Sequence, residues 1–74
     1  MPSEKLRHRE AALFAANRRF YASLSTADTG AVHVGEIRME SGEVLPGHRV
    51  GYLSEEQAMQ AARESVQEWV SSNA

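Results

Sequence analysis

Residues 18–25, Arg-Arg-Phe-Tyr-Ala-Ser-Leu-Ser, decide the fold. Phe20, Ala22 and Leu24 alternate with Tyr21, Ser23 and Ser25, the period of a strand with one buried face. Phe20, Tyr21 and Leu24 also continue an apolar stripe begun by Leu6, Leu13 and Phe14, the pattern of one long helix. Phe, Tyr, Ser and Thr are middling helix formers and good strand formers. A lone two-stranded hairpin is marginal in water, whereas three strands under a helix make a workable core. The strand reading is therefore adopted. Its alternative is a long N-terminal helix, a two-stranded hairpin and a helix.

Upstream, Ser3 can cap a first helix and Glu4 lies in its first turn, where the helix dipole favours an anion. Glu4 to Asn17 is rich in Ala, Leu, Arg and Glu, all strong helix formers, which predicts an N-terminal helix.

Downstream, Thr26 to Gly30 is a turn by composition. Ala31 to Glu40 reads as a strand in which Val32 and Val34 share one face while Ile37 and Met39 have the other parity. A bulge at Gly35-Glu36 would return all four to one side. Ser41-Gly42 reads as a tight hairpin turn. Val44 and Leu45 open the next strand, and Pro46-Gly47 interrupts it, which marks an edge strand or a local break. His48 to Tyr52 resumes the strand, and Leu53 can act as a hydrophobic staple on Ala58.

The clearest local signal is the last helix. Ser54-Glu55-Glu56-Gln57 reads as a capping box, with the Ser54 hydroxyl accepting from the Gln57 N–H and the Gln57 side chain reaching back to the Ser54 N–H. Such a cap contributes about 1 kcal/mol. Ala58, Met59, Ala62, Val66, Trp69 and Val70 recur at helical spacing behind it. Trp69 is expected to bury much of its area. The predicted architecture is α+β: an N-terminal helix, a three-stranded antiparallel meander and a C-terminal helix packed on the sheet, in one domain spanning residues 1–74.

Size and composition bound the function. At 74 residues the chain is one small domain, marginally stable alone. It has no cysteine, which removes disulfides and thiolate metal sites and fits a cytoplasmic setting. The longest apolar run, Ala11 to Ala16, is too short for a membrane span or a signal-peptide core. Net charge is −2 but uneven. Residues 1–19 hold five basic and two acidic side chains; residues 20–74 hold three basic and eight acidic ones.

No nucleophile elbow, phosphate-binding glycine loop or HExxH is present, so an enzyme is not expected. His33 and His48 fall on strands that a hairpin would pair, with Glu36 nearby. The spacing is unspecific, and neither a metal nor any other cofactor is expected.

The order helix, strand, strand, strand, helix is similar to that of the double-stranded RNA-binding domain. Ser54, Ala58, Ala61 and Ala62 match small positions of that family's final helix. The resemblance implies lysines at the start of this helix, clamping phosphates. Glu55 and Glu56 stand there instead, with Met59 at the third position, and carboxylates repel phosphate. Nucleic-acid binding is then left to the predicted first helix, through Lys5, Arg7, Arg9, Arg18 and Arg19.

Protein binding is the leading expectation. A small domain without a pocket acts by touching something, and sheet edges accept strands. Tyr21, His48, Arg49 and Tyr52 are side-chain types found at contact surfaces and are the candidate partner-binding residues. An inhibitor or accessory factor fits this size. Self-association into a dimer would relieve the marginal core. No membrane or small-molecule substrate is expected.

Overall fold

The computed structural model describes residues 7–72. Four strands, β1 (Arg7–Ala15), β2 (Arg18–Thr26), β3 (Val32–Met39) and β4 (Val44–Pro46), are followed by one helix, α1 (Glu55–Ser72). The strands form an antiparallel meander in the order β1-β2-β3-β4. The helix lies across one face.

The N-terminal helix expected over Glu4 to Asn17 is not found: residues 7–15 are a strand, paired with β2 from Arg7↔Thr26 to Ala15↔Arg18. The sheet therefore has four strands rather than three. The long-helix alternative is overturned by the same pairing. So is the chain order shared with the RNA-binding family. Ser3, Glu4 and Lys5 lie outside the described residues.

The reversal has a physical cause. Ala, Leu, Arg and Glu favour a helix when nothing else competes, but tertiary pairing overrides a preference of a few tenths of a kcal/mol per residue. Ala11 and Ala15 are buried on the helix-facing side, and Leu13 packs against the same core. His8, Glu10, Ala12 and Phe14 alternate with them on the open side. Ala16 and Asn17 link the strands with φ of 52° and 62°, a two-residue turn of the type whose twist matches paired strands. Asn tolerates that conformation. Alanine does so at a cost of about 1–2 kcal/mol.

β2 and β3 follow the sequence closely, whereas the strand expected to resume over His48 to Tyr52 does not form: β4 ends at Pro46 and Tyr52 makes only an isolated bridge to Val32. Ala22 pairs with Ile37 and Leu24 with Val34, so Ser23 stands opposite two residues, Gly35 and Glu36. That bulge returns Val32, Val34, Ile37 and Met39 to one buried face. Gly42, with φ of 108°, closes the β3–β4 connection, donating its N–H to the Met39 carbonyl at 2.9 Å.

The core lies between sheet and helix: Phe20, Ala22, Leu24, Val32, Val34, Ile37, Met39 and Leu45 from the strands, with Ala58, Ala62 and Val66 from α1. Two alanines let the helix backbone approach the sheet closely. Ser54 caps α1 as expected, its Oγ accepting from the Gln57 N–H at 3.2 Å. The Gln57 side chain reaches one residue further back than expected, its Oε1 accepting from the Leu53 N–H at 3.2 Å. Leu53 is 85% exposed and makes no staple. Trp69 is half-buried, packed on the rim of the core rather than within it.

Candidate functional site: the two edges of the sheet

The register of the first hairpin dictates which backbone groups of β1 are free. A two-residue turn is flanked by a pair that exchanges both hydrogen bonds, here Ala15 and Arg18. Counting back by twos, Leu13, Ala11, Arg9 and Arg7 also turn their N–H and C=O toward β2. His8, Glu10, Ala12 and Phe14 then turn theirs outward. The far side of β2 agrees, since the Arg19 carbonyl accepts from the Glu40 N–H at 3.3 Å, away from β1. Among the described residues, no strand other than β2 pairs with β1. The result is a nine-residue edge with no proline and no bulge.

The opposite edge is closed. The Met39 N–H donates to the Glu43 carbonyl at 2.7 Å, so Glu43 and Leu45 face inward and Val44 and Pro46 outward. Pro46 has no N–H to offer. Beyond β4, the chain runs back along β3. His48 N–H donates to the Val34 carbonyl at 2.9 Å, and Val32 and Tyr52 exchange backbone bonds at 2.9 and 2.7 Å. Gly47 makes this possible: a Cβ there would lie 2.0 Å from the Gly35 carbonyl oxygen and 2.3 Å from that of Val34.

Side chains pin the same segment. The two ring nitrogens of His48 bond to Tyr52 and Ser65, with Nδ1 at 2.8 Å from the Tyr52 hydroxyl and Nε2 at 2.7 Å from Ser65 Oγ. The His48 and Tyr52 rings also meet edge to face, centroids 5.9 Å apart. His48, Tyr52 and Ser65 are all partly buried. A serine–histidine contact invites comparison with a nucleophile–base pair. Here the third member is a tyrosine hydroxyl, which lacks a carboxylate's charge for stabilising an imidazolium. The trio ties residues 47–52 to the helix. The adjoining open hollow, about 390 Å³, is lined by Leu45, Pro46, Gly47, His48, Ser65 and Trp69.

The expected partner-binding residues thus separate. His48 and Tyr52 are occupied with the closed edge, and Arg49 is exposed beside them. Tyr21 lies on the open face of the sheet, between Ala12 of β1 and Arg38 of β3. Sequence reasoning missed Ser65 and the entire β1 edge. Ser65 was detectable, because it falls within the apolar stripe of α1, seven residues after Ala58, where a polar group needs a partner.

The open face carries charges that satisfy one another. Arg38 hydrogen-bonds Glu10 across β2, and this carboxylate holds the guanidinium pKa above its ordinary value. His8 Nδ1 lies 3.0 Å from Ser25 Oγ. Among the described residues, Phe14 at 58% and Val44 at 56% are its large exposed apolar side chains. In the β3–β4 turn, the Ser41 hydroxyl donates to Glu43. That bond, with one from Glu43's own backbone, lowers the Glu43 pKa.

The helix that was to carry Lys5, Arg7, Arg9, Arg18 and Arg19 is replaced by the hairpin, and Lys5 lies outside the described residues. Arg7 is the first residue of β1. Arg9 reaches Glu55 of α1, Nη2 to Oε1 3.5 Å. Arg18 and Arg19 follow the turn and alternate between the two faces.

Among the described residues, no group of three His, Asp or Glu side chains is placed to hold a metal ion, and no helix is long and apolar enough to cross a membrane. No protein-family model, curated protein or solved structure matches this chain.

Proposed function

We propose that this is a non-catalytic, cytoplasmic protein-binding module that takes an extended segment along β1, adding a strand to its sheet. Candidates for that segment include another protein, as for an inhibitor or accessory factor, and the chain itself. The observation that carries this reading is the outward row of backbone groups at His8, Glu10, Ala12 and Phe14. Main-chain hydrogen bonds supply affinity in such complexes, and alternate side chains supply specificity. Phe14 of β1 and Tyr21 of β2 then act as neighbouring contacts on the open face. Arg49, His48 and Tyr52 lie on the closed side and are not part of the proposed surface.

The test removes one outward N–H. Ala12→Pro deletes a donor that points away from β2 and, among the described residues, faces no other strand, and proline is tolerated at such edge positions. Partners captured by the wild-type protein are expected to be lost with the folded Ala12→Pro protein. Partners retained undiminished by that variant would refute strand addition at β1.

A further inference from the structure

The strand added along β1 has a specific occupant. We propose that it is β1 of a second copy, antiparallel, with the two Ala11 residues facing each other on the two-fold axis. The inference rests on the strand-addition reading above and names its partner.

A two-fold symmetric dimer uses the same patch twice. Two identical edges related by such an axis perpendicular to the sheet are antiparallel by construction. Outward-facing groups must meet outward-facing groups, so even-numbered residues of β1 pair with even-numbered residues. Three central registers satisfy that rule.

With Glu10 on the axis, Phe14 lies opposite position 6, outside β1, and its backbone groups find no partner within that strand; the two Glu10 side chains also stand directly opposite one another. With Ala12 on the axis, His8 lies opposite the turn residue Ala16, and its backbone groups find no strand partner. With Ala11 on the axis, His8 pairs with the other copy's Phe14 and Glu10 with its Ala12. Every outward N–H and C=O of the four residues is then satisfied.

The side chains agree with this third register. Facing residues that do not exchange hydrogen bonds approach most closely, about 4.5 Å between Cα atoms. Ala11, small and buried on the helix side, suits that position. Arg9 falls opposite Leu13, whose partly exposed surface its aliphatic stem can cover. On the open face, Phe14, 58% exposed in the single chain, gains the His8 ring as a neighbour. Glu10 remains with Arg38 of its own chain, which neutralises it beside the axis. The outcome is a continuous eight-stranded sheet with both helices on one side.

The chain contains no cysteine, so single cysteines read the register directly. Light scattering across a concentration series is expected to show a dimer for the wild type and a monomer for Ala12→Pro. Under mild oxidation, Ala11→Cys is expected to form a disulfide-linked dimer, since symmetric Cα atoms that close are within bridging range. Ala12→Cys, facing Glu10, is expected not to.

A wild-type protein that stays monomeric throughout the series overturns the proposal without needing either cysteine variant to fold. Cross-linking of Ala12→Cys in place of Ala11→Cys overturns the register. A monomer whose other partners are still lost with Ala12→Pro overturns self-pairing while leaving strand addition intact. Retention of those partners refutes strand addition itself.

Discussion

The two edges of this sheet differ in almost every respect that controls pairing. At one, β4 is three residues long, ends in a proline, and gives way to a segment bonded along β3 and pinned by His48. At the other, β1 runs nine residues without interruption. The contrast shows where this chain spends its means of closing a sheet. Proline, glycine and a hydrogen-bonded histidine are gathered on one side. Of such devices the other carries only charged side chains, near the start of β1.

The closed edge depends on Gly47, and breaking it has the largest expected effect on stability. Gly47→Ala drives a methyl group into the carbonyls of Gly35 and Val34, so a loss of about 3 kcal/mol or more is expected in denaturant unfolding. Gly35→Ala is the control. A Cβ there meets only ordinary contacts at 3.5 and 3.6 Å, from Ser23, and a loss below about 1 kcal/mol is expected. Equal losses in the two variants would remove Gly47 from its assigned role.

His48→Ala tests the pin. It leaves the Tyr52 and Ser65 hydroxyls without their shared partner, at an expected cost of about 1–3 kcal/mol. Exchange of the Val32 and Tyr52 amides is expected to accelerate while β1–β2 amides keep their protection relative to global stability. Loss of protection throughout the sheet would show that the two edges are not separable.

On the open side, Ala16→Gly relieves the left-handed conformation in the first turn. A gain of about 0.5–1 kcal/mol is expected in the same unfolding experiment, after allowing for the greater freedom of glycine in the unfolded chain. A destabilised variant would argue against the observed turn.

The smallest effect is electrostatic. Bonds from Ser41 and from its own backbone favour the charged form of Glu43 and lower its pKa in the folded state. Its stabilising contribution is therefore present above the unfolded value, about 4.3 for glutamate, and is lost as pH falls through the lower folded value. Ser41→Ala is expected to move the Glu43 titration upward toward the ordinary value, followed by NMR. An unchanged midpoint would contradict the contact.

Much of the closed side was legible in the residues. The phase change between Val34 and Ile37 located the bulge, Pro46-Gly47 marked an edge, and Ser54 with Gln57 marked the start of the helix. The open side was hidden by alanine. Ala11, Ala12, Ala15 and Ala16 fall on both faces and in the turn, so alternation is masked by a residue that also favours helices. The turn itself, Ala16-Asn17, lacks the glycine that would have announced a hairpin. The β1 edge depends on that hairpin and was hidden with it. His48 and Tyr52 stood out as residue types, but their shared commitment to Ser65 depends on how the helix crosses the sheet, which local spacing does not contain.

Amide exchange along β1 tests the central claim, an edge left open within the single chain, most directly. In dilute protein, the Ala11 and Leu13 amides are expected to be protected by β2, while those of Glu10, Ala12 and Phe14 exchange rapidly. The latter set should gain protection as concentration rises or a partner strand binds. Protection of Glu10, Ala12 and Phe14 equal to that of their neighbours in the dilute chain would contradict the account.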